Sequence, residues 1–306
     1  MSKIYIIGGA NIDIFAKSEN EIILKDSNPS LITFSYGGVG RNICENLTNF
    51  DMKPVFISAF GNDEFSKAMM NDLKKRGVDL SYSIFSNNHP SSIYLAFVDR
   101  EDLFVGASDM SVLNLINIDW LSKLKDIIND DDYVIFDTNL KEELIGYIVD
   151  NLKGVKVVDA ISANKVIKLK NILNKIDILK VNKLEAEKLL NSRLEKHELN
   201  KASKIIKDLG VKEVLLSDES DIYLAKDRVY HYMHFAYREN PVNVTGAGDA
   251  LLAGYVYGHF NKLPLDETVK FALSCAILTV DDNNAVARLN IDNIKTFISE
   301  TRIEQL

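Results

Sequence analysis

Several features that mark other protein classes are missing from this 306-residue sequence. It has only two cysteines, Cys44 and Cys275, each within an apolar helical pattern. This usage predicts buried free thiols in a reducing compartment. No His-Glu-x-x-His or Cys-x-x-Cys occurs, so no zinc site is indicated. No apolar run approaches transmembrane length, and the run at 4–7 is too short for a signal peptide. We therefore expect a cytoplasmic protein without a membrane partner.

An excess of positive charge is also missing. The net charge is -8 and the isoelectric point is about 5.3, which argues against a general nucleic-acid surface. No Gly-Lys-Ser/Thr occurs, so there is no Walker A loop. Neither glycine-rich segment fits a dinucleotide fingerprint, because Ile43 and Leu251 stand where the third glycine is required. The common phosphate-binding motifs are thus excluded.

The order of apolar runs and helical patterns predicts an α/β fold. Strands alternate with covering helices from about residue 110 onward, which is typical of a doubly wound, mostly parallel sheet flanked by helices. With 46% hydrophobic residues, we expect one domain over 1–306. Two β-rich pieces, about 14–36 and 90–108, predict a small β-sheet lid. We expect a short strand at 22–24, within the first piece. After the second piece we expect a helix over 119–127.

Polar residues follow the predicted strands where those strands end. Asp137, Asp159 and Asn182 each close an apolar run, and the first strand ends at Gly9-x-Asn11-x-Asp13. The carboxyl edge of an open α/β sheet is where ligands bind. An Asx-turn explains Asn11 and Asp13 equally well. The segment alone leaves both interpretations open.

The stretch from Asn243 to Gly254 has the pattern of a loop that runs into a helix. Gly246 and Gly248 favour a turn, and apolar residues then recur three or four positions apart. A helix start of this kind binds phosphate, because its first amides have no partners within the helix and the helix dipole is positive there. Asp249 would repel that phosphate unless it takes a proton from an attacking hydroxyl. A glycine-rich turn in which Asp249 only complements the dipole remains the alternative.

Two further helix starts have both a structural and a functional interpretation. The glycines of 37–40 open a helix that carries Asn42, which indicates close approach of a ligand to the backbone. Asn182 and Glu185 have capping-box spacing, and Glu185 is alternatively a magnesium ligand, directly or through water. Asp109 is a candidate substrate contact or a solvated loop residue. The polar loop 281–286, which contains Asn284, is a candidate border for a nucleotide base.

Together these motifs resemble the ribokinase-like carbohydrate kinases, often called the PfkB family. The resemblance covers essentially the whole chain, and the order of the motifs with a two-piece β lid makes it specific. It is carried by these segments: Gly9-x-Asn11-x-Asp13, Gly37-Gly38-x-x-x-Asn42, Asn182-x-x-Glu185 and Thr245-Gly246-Ala247-Gly248-Asp249.

The resemblance implies an ATP-dependent kinase with magnesium. Asp249 would activate the acceptor hydroxyl, and Gly246, Ala247 and Gly248 would form the anion hole. Asp13, Gly38 and Asn42 would bind acceptor hydroxyls, with Asn11 and Asp109 as further substrate contacts. The residues expected at the nucleotide are Asn182, Glu185, Ser217, Thr245 and Asn284, with Glu185 also as the metal ligand.

Within the family, the segment 37–47 is most similar to the subfamily that phosphorylates the 5′-hydroxyl of pseudouridine. The alternatives are a kinase that acts on another ribonucleoside or a free sugar, and a nucleoside sensor without turnover.

Two departures from the family pattern stand out. Asn243 replaces an aspartate that helps to build a monovalent-cation site in many members, and the acidic segment 217–221 replaces a glycine-containing turn along the nucleotide. The exposed edges of the lid suggest a homodimer, as in related proteins.

Overall fold

A computed structural model describes residues 2–99, 102–234 and 244–305. The strands, numbered in chain order, are β1 Ile4–Ile7, β2 Asn11–Ser18, β3 Ser30–Gly37, β4 Val55–Ile57, β5 Ala59–Phe60, β6 Ile84–Phe85, β7 Ile93–Asp99, β8 Asp102–Asp109, β9 Tyr133–Asp137, β10 Val155–Asp159, β11 Ile178–Asn182, β12 Glu213–Asp218, β13 Asp221–Ala225, β14 Val229–His234 and β15 Ile303–Gln305.

The α-helices lie mostly between strands of the main sheet. They are α1 Val39–Asn49, α2 Glu64–Lys75, α3 Ile118–Ser122, α4 Glu142–Asn151, α5 Lys183–Leu190, α6 Leu199–Asp208, α7 Ala247–Phe260, α8 Leu265–Val280 and α9 Ile291–Glu300. Short 3-10 helices occur at Ser111–Leu115, Val166–Leu169, Leu173–Lys175 and Lys196–Glu198.

The main sheet has nine strands in the order β15-β14-β13-β12-β11-β10-β9-β1-β4. From β4 to β12 every pairing is parallel, and β13, β14 and β15 add an antiparallel edge. The chain runs outward from β1 to β4 and returns to β9 on the other side of β1. The carboxyl ends of β1 and β9 therefore flank the point where the strand order reverses, which is the expected position of a ligand site. The predicted doubly wound fold is confirmed.

The main sheet is covered by helices on both faces. Ile4 and Ile6 belong to a core cluster with α1, α7 and α8, whereas Tyr5 and Ile7 belong to a second cluster with α3 to α6. This alternation follows from the two-residue period of a strand. Cys44 and Cys275 are buried free thiols, as predicted.

A second sheet has four strands in the order β3-β2-β7-β8. We call it the small sheet. Its strands come from the two predicted β-rich pieces. It joins the main body directly at the site-forming segments, since β2 follows β1 after three residues and β3 ends at Gly37, just before α1.

Two local predictions of secondary structure are wrong, and one strand was missed. Residues 22–24 form no strand, because the Asn28 side chain bonds both the N–H and the C=O of Ile23 and closes a loop. The helix predicted over 119–127 ends at Ser122, after which turn bonds spanning three residues take over. Strand β15, which pairs with β14, was not predicted at all.

Candidate active site

Helix α7 begins at Ala247, directly after a left-handed Gly246 with a φ of 83°. A Cβ on Gly246 would lie 1.8 Å from the carbonyl oxygen of Ala285, so only glycine fits there. The predicted transition from loop to helix is therefore present. The first amides of α7 have no partner within the helix and form a site suited to an anion.

Asp249 lies in the first turn of α7 and is 7% exposed. Its Oδ2 accepts a hydrogen bond of 2.8 Å from Nδ2 of Asn42 on α1. Burial raises the pKa of Asp249 to about 8, and the Asp159 charge adds to this, while Asn42 and Lys180 oppose it. A carboxylate with a pKa near the working pH is suited to act as a general base.

Lys180, which the sequence analysis did not select, lies beneath this helix start. It is 6% exposed on β11, and its Nζ is 3.3 Å from Oδ2 of Asp159. A Cβ on Gly248 would lie only 2.6 Å from that Nζ. Burial alone lowers the pKa of Lys180, but neighbouring carboxylates raise it above its ordinary value, so the side chain is charged. The signal in the sequence was a lysine within a buried, apolar strand.

Asp137, at the end of β9, holds two glycine segments together. Its Oδ2 accepts from the N–H of Gly9 at 3.0 Å and from the N–H of Gly40 at 3.2 Å. Burial raises the pKa of the Asp137 carboxyl. Thus the loop after β1 and the start of α1 meet at the point where the strand order reverses.

The predicted acceptor residues Asn11, Asp13, Gly38 and Asn42 are linked by contacts around this point. Nδ2 of Asn11 donates to Oδ1 of Asp13. Gly38 has a φ of 98°, and a Cβ there would meet the carbonyl of Gly9. Burial raises the pKa of Asp13 to about 6, against the effects of the Asn11 hydrogen bond and a nearby arginine charge. The arrangement offers a carboxylate and two amides to hydroxyl groups.

Asp109 is not brought into this group. It is exposed at the end of β8 and accepts from the N–H of Ser111 at 2.8 Å. In the small sheet, Asp13 is level with Tyr94 and Ser108. Because side chains alternate along a strand, Ser108 shares the face of Asp13, and Asp109 lies on the opposite face.

The predicted nucleotide residues lie mainly at the ends of β11 and β12. Asn182 and Glu185 form a capping box, in which Oε2 of Glu185 accepts from the Asn182 N–H at 2.8 Å and Oδ1 of Asn182 accepts from the Glu185 N–H at 2.9 Å. Ser217 is level with Asn182 across the strand pair. Thr245 is exposed immediately before Gly246. Asn243 lies outside the described residues.

The acidic segment after Ser217 is a tight hairpin turn between β12 and β13. Asp221 is fully buried and pairs with Nζ of Lys196 at 2.9 Å and Nε2 of His231 at 2.6 Å. Its carboxylate therefore has partners within the fold. Burial raises the pKa of Asp218 above its ordinary value. Within the segment, it is the Asp221 charge that is balanced by a neighbouring cation, Lys196.

A sequence profile of the pfkB family carbohydrate kinases matches residues 1–291. The chain belongs to this family. It is 32% identical over 281 residues to the pseudouridine kinase of Escherichia coli (strain K12), covering 90% of each protein. A carbohydrate kinase structure from Agrobacterium tumefaciens superposes with a TM-score of 0.83 at 25% identity over 100% of both chains. The ribokinase of Arabidopsis thaliana, complexed with ribose and ATP, gives 0.81 at 19% identity over 97% of this chain and 99% of that one.

Ribokinase-like members of the family use ATP with Mg²⁺. In the described part of the chain, no group of three or more His, Cys, Asp and Glu side chains could hold a metal ion. This fits magnesium, which usually keeps several waters and is held by one or two carboxylates together with substrate phosphates. Glu185 is the candidate for that role: each of its oxygens accepts one bond from Asn182 and keeps one acceptor position, and the side chain is buried in this structure.

A cavity of about 580 Å³ lies between the small sheet, α1, α2 and the loop 284–288 of this pfkB kinase. Phe34 and Phe65, whose rings stack at 5.9 Å, form one wall, and Arg41 and Asn284 contribute polar groups. Ile12, Phe34 and Tyr36 line the cavity, and by strand register these three lie on the face of the small sheet opposite Asp13. Among the described residues, no helix is both long and apolar enough to cross a membrane.

Proposed function

We propose that this kinase transfers the γ-phosphate of ATP to the 5′-hydroxyl of pseudouridine, with Asp249 as the general base. The observation that carries the proposal is the position of Asp249. It is a buried carboxylate in the first turn of α7, held by Asn42 and preceded by the open amides of Gly246 to Gly248. A base and an anion site thus lie on the same turn of helix.

The reaction follows from these groups. The acceptor O–H gives its proton to the Asp249 carboxylate while its oxygen bonds to the γ-phosphorus. The bond from that phosphorus to the bridging oxygen breaks, and ADP leaves. The amides at the start of α7 and the Lys180 charge balance the negative charge on the transferred group. Glu185 would hold magnesium, which when bound with ATP neutralises phosphate charge.

Phosphoryl transfer depends mainly on positioning and charge neutralisation. In this site Asp13 and Asn11 would bind the sugar hydroxyls, and Gly38 would allow the sugar to approach the backbone. Asn182, Ser217, Thr245 and Asn284 would lie along the nucleotide. Asp109 would need a substrate that reaches the other face of the small sheet, so we propose it only as a peripheral contact.

Two observations support pseudouridine over a free sugar as acceptor. The first is the 32% identity to a pseudouridine kinase across 90% of the chain. The second is the segment 37–47, which resembles the subfamily that phosphorylates pseudouridine.

ADP release with Mg-ATP tests the proposal against pseudouridine, uridine, adenosine, inosine and ribose. We expect kcat/KM for pseudouridine to exceed that for each of the others. Faster turnover of another compound would keep the kinase mechanism and overturn the acceptor. No turnover, together with a thermal shift caused by nucleoside, would favour a sensor.

We also propose a homodimer that forms through the small sheet. Ile32, Phe97 and Val105 lie level with one another across β3, β7 and β8, and each is 40% or more exposed. Such an apolar row is typical of a protein interface. Sedimentation of the wild type should show a dimer, and sedimentation of Phe97→Lys should show a monomer. A monomeric wild type at micromolar concentration would refute the proposed dimer.

The free thiols support a cytoplasmic location.

A further inference from the structure

Arg41 occupies an unusual position between the small sheet and the proposed base. It is 5% exposed in the first turn of α1. Its Nη1 donates to the carbonyl of Tyr36 on β3 at 3.0 Å and to Oδ1 of Asn42 at 3.2 Å. Its guanidinium also lies 5.4 Å from the centre of the Tyr36 ring. One buried side chain therefore contacts both a strand of the small sheet and the partner of Asp249.

The bond to Asn42 determines which way the amide faces. An asparagine side chain has a donor end and an acceptor end, whereas a guanidinium only donates. Arg41 therefore requires Oδ1 of Asn42 on its side. The donor end, Nδ2, is then directed to Asp249, where it makes its bond of 2.8 Å. Without Arg41, the amide is free to turn its oxygen towards Asp249 when that carboxyl group is protonated and can donate.

Arg41 is itself held in place by a chain of charges. Its Nη2 pairs with Oε2 of Glu45, one turn further along α1. Glu45 also accepts from Nη2 of Arg76 at 2.8 Å, and Nε of Arg76 bonds Asp72 at 2.9 Å. The chain thus runs from Asp249 through α1 to α2. A buried charge held by partners on two helices has little freedom to move.

We propose that Arg41 is a positioning residue, which orients the Asn42 amide so that it donates to the proposed base Asp249, and which links that base to strand β3. This inference rests on the proposed function of Asp249. Arg41 touches no reacting atom in this scheme. Its effect passes through Asn42, so loss of Arg41 should change the pKa and the position of the base Asp249 rather than the affinity for ATP.

The expected signature is a change in the pH profile. The groups that face Asp249 are Asn42 from α1, Asp159 from β10, Lys180 from β11 and Asp137 from β9. Of these, Asn42 and Lys180 favour the charged carboxylate, and the two aspartates oppose it. Loss of the Asn42 bond therefore moves the acidic limb of kcat/KM to higher pH.

The test uses Arg41→Gln and Arg41→Lys in the full chain. For Arg41→Gln we expect kcat to fall by about 10- to 100-fold, as for a misplaced catalytic group, with the acidic limb at higher pH. Arg41→Lys keeps the charge and a donor for Oδ1 of Asn42, so its loss should be smaller. Arg228→Gln is the control, because it removes a positive charge at an exposed arginine outside this chain of charges, and it should leave kcat and the pH profile unchanged.

A double-mutant cycle with Asn42→Ala shows whether the effect passes through Asn42. In that background Arg41→Gln should have almost no further effect on kcat or on the pH profile. Additive losses, or an acidic limb of Arg41→Gln that matches the wild type, would overturn the proposal. If Arg41→Gln does not fold, Arg41→Lys and Glu45→Gln decide by the same readouts. Normal turnover by Asp249→Asn would instead refute the assignment of the base.

Discussion

Replacement of Asp249 by asparagine should separate catalysis from stability. The asparagine oxygen can still accept the bond from Asn42, so the geometry of the site is preserved. What is lost is the proton acceptor. Because a positioned base contributes roughly 10²- to 10⁴-fold, we expect kcat to fall by about that factor while nucleoside binding remains.

The same change should stabilise the protein above neutral pH. The pKa of Asp249 is about 8 in the fold, well above its ordinary value. The native state thus holds a proton that the unfolded chain has lost, and stability falls as pH rises from about 4 to 8. Asparagine removes this loss. The gain should be on the order of a few kcal/mol at pH 8 and near zero at pH 4.

Thermal unfolding at pH 4, 6 and 8 measures this difference. At pH 8 we expect the Tm of Asp249→Asn to exceed that of the wild type by roughly 5 °C. Asp126→Asn, at an exposed aspartate, is the matched control and should change neither Tm nor turnover. An equal gain at all three pH values would contradict the argument, because it would not arise from the buried charge.

The other predictions concern the surroundings of the base. Gly246→Ala should reduce kcat by at least about 10-fold in steady-state assays, because alanine in the left-handed region costs about 1–2 kcal/mol and its Cβ would strike Ala285. Lys180→Gln should lower kcat by about 10²-fold and move the acidic limb of kcat/KM to higher pH, since Lys180 lowers the pKa of Asp249. Glu185→Gln should raise the magnesium concentration needed for half-maximal rate, measured by titration at saturating ATP. If the magnesium titration is unchanged, Glu185 acts only as a capping residue.

Features that depend on near neighbours in the chain were predictable. The start of α7 after Gly246 follows from glycine conformation and helical periodicity. The capping box of Asn182 and Glu185 involves residues three apart. Alternation of strands and helices predicts the doubly wound sheet, because each element must bury one apolar face.

Features that depend on distant contacts were not predictable from the sequence. Asn42 and Asp249 lie 207 positions apart, and no local pattern indicates that they bond. The position of Lys180 beneath Gly248 depends on how α7 packs over β11. Likewise, the partners of Asp221 come from separate elements, and the face occupied by Asp109 depends on strand register.

The physical reason is the range of the interactions. Helix caps, turns and apolar periodicity act over a few residues, so the sequence alone predicted most of the strands and helices and their order, but not β15 or the end of α3. Burial, pKa shifts and charge pairing depend on which elements the fold brings together. Only the tertiary structure decided that Asp249 is buried near Asn42 and Lys180, and that Arg41 donates a hydrogen bond to Asn42.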